Sequence, residues 1–190
     1  FSHKYQGIPK DGYTPIIESI ITHEQIEIQL NTSFNKKLLE QYDHVIWTGQ
    51  LDQWFEYSEG RLGYRTLDFE KHITEGDFQG TAVMNYGDET VPYTRISEHK
   101  YFTPWETHNS TIYFKEFSRA CGENDIPYYP IRLVNDKFLL EKYVTFAGRL
   151  GTYRYMDMDV TIKEAIILAN QICCDIENSQ QLKSFYHSEV

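Results

Sequence analysis

The sequence has few cysteines. Three occur in 190 residues: Cys121, Cys173 and Cys174. An odd count with one adjacent pair is no disulfide framework, and no Cys-x-x-Cys or Cys/His grouping has zinc-ligand spacing. The expectation is a reduced, cytoplasmic protein. Long apolar runs are missing as well; none approaches the roughly 18–20 residues of a bilayer span. Positive charge is scarce. Lys and Arg number 18 against 28 Asp and Glu, a formal net charge of −10, which argues against a nucleic-acid footprint. GxSxG, P-loop, HExxH and GxGxxG patterns are all absent. The seven histidines are scattered, with no i,i+4 ligand pair. No arrangement for activating a hydroxyl or thiol nucleophile is visible. Phe1, not Met, opens FSHKYQGIPKDGY, which lacks the basic and apolar regions of a signal peptide. The expectation is a piece of a longer protein, or one that has lost an upstream segment.

What is plentiful is aromatic surface: 15 Tyr, 11 Phe and 3 Trp. Such side chains fill cores and stack on flat ligands. Thr14-Pro15 reads as a helix start, a hydroxyl N-cap followed by proline, and Ile16, Ile17, Ile20 and Ile21 share one helical face. Ile26, Ile28 and Leu30 alternate as in a strand. DHVIWT, Asp43 to Thr48, is a short apolar run expected of a strand buried on both faces of a parallel sheet. From Trp54 to Phe117 short aromatic and β-branched runs alternate with turn residues, the pattern of an antiparallel sheet. Asp136 to Tyr143 reads as helix and VTFA, Val144 to Ala147, as a second buried strand. Thr161-x-x-Glu164 fits a capping box opening an amphipathic helix to about Asp175. The polar tail from Glu177 is expected to fray. Two buried strands thus flank an antiparallel block. Two alone cannot make a doubly wound sheet, so partner strands are expected elsewhere.

GRLGTYRYMDMD, Gly148 to Asp159, is the strongest candidate site. Its glycines permit close backbone approach, Arg149 and Arg154 can pair with phosphate, and Asp157 and Asp159 precede a helix N-terminus suited to polar ligands. A glycine-bearing loop between a buried strand and a helix is where α/β proteins bind ligands. The competing reading has the aspartates capping the helix and Tyr153 and Tyr155 packing. In VPYTRISEHK, Arg95 sits in an apolar context and needs a carboxylate or phosphate partner. Tyr128-Tyr129 between prolines can bond a sugar or phosphate oxygen, or simply pack. Arg65 and Asn85 are polar residues inside aromatic runs, as in a lined cleft.

Together, YQGIPKDGYTPIIESI, VIWTGQLDQWFEY, LGYRTLDFE, FQGTAVMNYGDETVPYTRISEHKYF, ENDIPYYPI and GRLGTYRYMDMD resemble the UDP-galactopyranose mutase family. The stretches run in family order along nearly the whole chain. The resemblance implies a mixed α/β (α+β) fold, with an antiparallel substrate-domain sheet inserted into the closing strand-helix part of a Rossmann-like FAD domain. Its divisions would be 1–52 (the end of a helical region and an FAD-domain strand), 53–127 (the substrate domain) and 128–190 (the FAD-domain closing helix, strand, loop and C-terminal helix). Family members convert UDP-galactopyranose to UDP-galactofuranose with noncovalent, reduced FAD, whose N5 attacks the anomeric carbon as UDP leaves, for cell-surface galactofuranose. The hard chemistry belongs to the cofactor, which accounts for the missing protein nucleophile.

Carried over residue by residue, Arg95 resembles the arginine that clamps the UDP diphosphate. Tyr129 and Tyr155 resemble the phosphate-bonding tyrosines, and Asn85 a substrate-contacting asparagine. Arg65 resembles the arginine beside the flavin. Arg149, Tyr155, Met156, Asp157, Met158, Asp159 and Val160 match the loop and helix start that hold FAD. The resemblance also implies a homodimer at full length. The family's N-terminal half, with its GxGxxG fold, is absent. Gln50 replaces a usual proline after Thr-Gly, and Tyr143 runs straight into Val144 where members carry several more residues. The chain alone is therefore expected to be inactive. Rival readings are an amine-oxidase-like flavin oxidoreductase and a non-catalytic nucleotide-sugar-binding remnant.

Overall fold

A computed structural model describes residues 4, 7–58, 60–131 and 144–186. The helix expected over 136–143, and the junction of Tyr143 with Val144, lie outside the described residues. Two compact units divide the chain, Phe1–Ser33 with Phe69–Phe117, and Phe34–Asp68 with Ser118–Val190. The strands are β1 (Val45–Trp47), β2 (Tyr64–Glu75), β3 (Val83–Asn85), β4 (Arg95–Glu98), β5 (Ser110–Ala120), β6 (Tyr129–Pro130) and β7 (Val144–Phe146). The α-helices are α1 (Thr14–Ile21), α2 (Leu51–Trp54), α3 (Gly148–Gly151) and α4 (Met158–Glu177). A two-stranded sheet pairs β1 with β7, and a five-stranded sheet runs β3-β4-β5-β2-β6. The mixed α/β class expected from the sequence is the one observed.

In the second unit β1 and β7 are parallel, with Val45 opposite Val144 and Trp47 opposite Phe146. Every residue of β7 is buried, as its apolar run requires. β1 departs from the expectation of burial on both faces, because Ile46 is 52% exposed. The core gathers Leu51, Trp54, Tyr64, Val144, Phe146 and Tyr153. Trp54 meets Phe146 edge-on at 5.9 Å, the geometry ring quadrupoles favour. Burying each such side chain stabilises the fold by about 1.5–3 kcal/mol.

The tail does not fray over its described part. Phe146 N–H donates to the Ser184 carbonyl at 2.9 Å, and the Thr145 hydroxyl donates to the Lys183 carbonyl at 2.6 Å. Phe185 stacks on Phe146 at 5.1 Å, and the Tyr186 phenol donates to Asp175 Oδ2 at 2.7 Å. Backbone polarity explains the correction. A buried strand's second row of amides and carbonyls needs partners, and a tail of mixed composition that includes Phe185 supplies them.

In the first unit β4 pairs with both neighbours, placing Asn85 opposite Arg95 and Arg95 opposite Glu116. Ile96 and Glu98 on β4 are fully buried. Glu98 Oε1 accepts the Phe78 N–H at 3.0 Å. Its Oε2 accepts those of Gln79 at 2.8 Å and Gly80 at 3.0 Å. Helix α1 starts one residue earlier than expected, with Tyr13 rather than Thr14 as N-cap and no side-chain cap bond. The alternating Ile26, Ile28 and Leu30 form no strand. They are exposed, so their pattern has no packed face to select it.

Candidate functional site

The turn after β7 needs glycine twice. Gly148 has φ +72°, and a Cβ on Gly151 would stand 2.5 Å from the Trp47 carbonyl oxygen. These two positions fold the chain tightly onto β1 and start α4 within ten residues. Inside the turn Arg149 turns inward. Its Nε donates to the Met156 carbonyl at 2.9 Å, Nη2 donates to the same oxygen, and Nη1 donates to the Tyr128 carbonyl at 3.1 Å. Its guanidinium lies 5.8 Å from the Tyr129 ring centre and 5.2 Å from that of Tyr155. The two rings are 6.1 Å apart. The structure thus brings Tyr129, Arg149 and Tyr155 together, with the cation at the third corner of a near-equilateral triangle with the two rings.

Three local expectations change here. Arg154, a candidate phosphate partner, is already matched: its Nη1 and Nη2 each donate to a Glu164 carboxylate oxygen at 2.9 Å. The capping box fails because α4 opens at Met158, three residues before Thr161. The Thr161 hydroxyl bonds back to the Asp157 carbonyl at 3.0 Å instead. Asp157 is the N-cap residue, but its carboxylate makes no cap bond. Asp157, Met158, Asp159 and Val160 are exposed at the start of a 20-residue helix, where amides and dipole favour anionic groups. Met156 is buried, and its carbonyl is taken by Arg149.

Arg65 lies on β2, opposite Tyr129 of β6. Its Nε donates to the Ser118 hydroxyl at 3.0 Å and Nη2 to the Ser118 carbonyl at 2.9 Å. Close by, the Tyr64 phenol donates to Asp52 Oδ1 at 3.2 Å. Burial, then the Asp52 charge, pushes that phenol far above its ordinary range, so Tyr64 stays a neutral donor.

The other unit carries Asn85 and Arg95. Arg95 Nε donates to Asn85 Oδ1 at 2.9 Å, and its Nη1 lies 3.6 Å from Glu116 Oε2. The expected apolar setting of Arg95 is corrected: its side chain is 42% exposed, because β4 turns Ile96 inward and Arg95 outward. Tyr86 and Tyr93 meet edge-on at 4.9 Å on the adjoining loop. Glu116 was not a sequence candidate. The period-two alternation of Tyr113, Lys115 and Phe117 on β5 was the available signal for its face, but its partner depends on register.

Among the described residues, no group of three His, Cys, Asp or Glu could hold a metal ion. Among them too, no helix is long and apolar enough to cross a membrane.

A parallel strand pair leading through a glycine turn into a long helix, with an antiparallel five-stranded sheet in the same chain, defines a mixed α/β protein. The sequence pattern described as UDP-galactopyranose mutase matches residues 1–155. The chain belongs to that family. It is 55% identical to a probable UDP-galactopyranose mutase of Klebsiella pneumoniae over 97% of this chain and 50% of that protein. It is 52% identical to a dTDP-fucopyranose mutase of Escherichia coli over 87% of this chain and 48% of that protein. A Mycoplasma pneumoniae UDP-galactopyranose mutase is 33% identical over 88% of this chain and 48% of that protein. The chain spans about half the length of these curated relatives.

Proposed function

We propose that this chain is the C-terminal portion of a flavin-dependent sugar-nucleotide mutase that interconverts UDP-galactopyranose and UDP-galactofuranose in the cytoplasm, supplying cell-surface galactofuranose. The observation that carries the reading is the Asn85–Arg95–Glu116 row across β3, β4 and β5, in a chain whose family match runs through it. A guanidinium restrained on one side by an amide and near a carboxylate keeps its fork oriented and accessible, which suits a diphosphate. Arg95 holds the diphosphate as leaving group and returning nucleophile, Asn85 contacts the substrate, and Tyr129 and Tyr155 donate to phosphate oxygens. Holding both fragments in one geometry lets the returning UDP find the sugar without diffusing away.

The turn fits one side of FAD. Its glycines hold it tightly on β1, and α4 offers its N-terminal amides beside the exposed Asp157, Met158, Asp159 and Val160. Arg65 would stand beside a bound flavin, and Arg149 shapes the turn. When bound in reduced form, FAD supplies the nucleophile that the protein lacks. No GxGxxG occurs in the sequence, so in this reading the dinucleotide fingerprint belongs to an upstream half of the enzyme. The divisions 1–52, 53–127 and 128–190 then correspond to a helical and FAD-strand segment, the substrate domain and the FAD-domain close. A homodimer is the state proposed for the complete enzyme.

The test is turnover. The 190-residue chain with reduced FAD is expected to form no UDP-galactofuranose, and the enzyme extended to the length of its relatives is expected to form it with no net redox change. Oxygen consumption with net substrate oxidation would instead identify an amine-oxidase-like enzyme, and failure of both forms to bind UDP a remnant. The 52% identity to the dTDP-fucopyranose mutase supports a second reading, with a thymidine nucleotide of a 6-deoxy sugar as substrate. The ratio of kcat/KM on the two sugar nucleotides decides between them.

A further inference from the structure

We propose that Tyr153 is a positioning residue for the diphosphate site: its phenol fixes the spacing of Tyr129 and Tyr155. The assignment rests on the roles given above to those two tyrosines.

Tyr153 adopts φ +49°. A bulky residue in the left-handed region carries backbone strain. Glycine or asparagine would relieve it, so a tyrosine here needs a compensating side-chain role. The ring is buried and meets Tyr64 edge-on at 5.4 Å. Packing alone would accept phenylalanine. The hydroxyl, however, lies 2.8 Å from the Gly63 carbonyl oxygen and 2.7 Å from that of Ile131. Its single proton is shared between them. The Gly63 oxygen also accepts the Ile131 N–H at 2.8 Å.

Those two carbonyls sit immediately before β2 and immediately after β6. On that ladder Arg65 faces Tyr129. The phenol therefore bolts the glycine turn to the strand pair that carries Tyr129. Two residues beyond Tyr153, the exposed Tyr155 stands 6.1 Å from Tyr129 with the Arg149 guanidinium against both rings. The turn's own bonds, Tyr153 N–H to the Leu150 carbonyl and Arg154 N–H to the Arg149 carbonyl, carry the anchored geometry to Arg149. Without the bolt, the Tyr129 strand and the Tyr155 turn lose a shared reference point.

Nitrogen-15 NMR of the chain tests this without any ligand. The Arg149 Nε–H, bonded to the Met156 carbonyl beside two rings, is expected to give a ring-current-shifted, slowly exchanging signal. In Tyr153→Phe this signal is expected to exchange about three- to tenfold faster, as befits loss of one hydrogen bond, and to shift toward the ordinary arginine position. The Phe146 and Ile96 amides keep their protection. An unchanged Arg149 signal overturns the proposal. General loss of protection at Phe146 and Ile96 overturns it too, because the phenol would then serve core stability. A UDP titration of the same samples separates the two levels. Weaker binding by Tyr153→Phe supports the positioning role. No binding by the parent chain counts against the diphosphate reading, while the NMR comparison still decides Tyr153.

Discussion

Arg95 and Asn85 are direct cross-strand partners, and the arginine Nε donates to the asparagine Oδ1 at 2.9 Å. The residues lie ten positions apart, so a hairpin register alone creates the pair. A one-residue slip would send one side chain to the opposite face.

Arg95→Lys removes the fork and keeps the charge. In any form of the enzyme that binds UDP, calorimetric titration is expected to show affinity falling by about 10- to 100-fold, the scale of a charge-assisted pair. The unfolding midpoint should move little, since the side chain is solvent-accessible. Equal UDP affinity in the lysine variant removes Arg95 from the diphosphate role.

Glu98 links stability to pH. Burial raises its carboxyl pKa, but the N–H groups of Gln79, Phe78 and Gly80 more than offset this, leaving it below the ordinary glutamate value. A folded pKa lower than the unfolded one means stability that is present above the unfolded value and lost as pH falls through the folded one. Urea unfolding of Glu98→Gln at neutral pH is expected to show a loss of about 1–3 kcal/mol. The gap between variant and parent should narrow in acid; a gap independent of pH contradicts the assignment.

Gly151→Ala places a methyl where the Trp47 carbonyl oxygen is 2.5 Å away. The neighbour is backbone and cannot swing aside. Thermal unfolding is expected to register a loss of about 1–3 kcal/mol. Ala at Gly87, with nothing within 4 Å of its Cβ position, is the matched control and should change little.

Truncation after Gln180 removes Ser184 and Phe185 from β7. The expected loss is about 2–4 kcal/mol, from one buried ring and its backbone bonds. Concentration-dependent self-association should follow as the strand edge opens. Light scattering reads the second effect, and a truncated chain that stays monomeric with undiminished stability refutes both.

Local chemistry made much of this legible. The VTFA strand, the antiparallel block and the glycine turn declare themselves by burial pattern and turn residues. Ile26, Ile28 and Leu30 misled because alternation marks a strand only where a sheet receives it. Arg154 misled in another way. Its partner Glu164 is ten positions on, and only the path of the turn into α4 brings the two together. Arg149 matched the flavin loop as a motif, yet its bond to the Tyr128 carbonyl and its contact with the Tyr129 ring depend on where β6 lies. Glu116 stayed hidden for the same reason, since a cross-strand neighbour is a property of register.

The β1–β7 ladder also imposes an order in time. The His44 ring nitrogen and the Thr145 hydroxyl, 2.9 Å apart, lie 101 positions apart in the chain. Closing so large a loop costs entropy that only later contacts return. The β3–β4–β5 hairpins close over far shorter spans. On the ribosome, β1 therefore emerges long before its mate and must wait without aggregating. Pulse-labelled hydrogen exchange during refolding is expected to find the Ile96 amide protected before that of Phe146. Simultaneous protection would mean the two units fold as one.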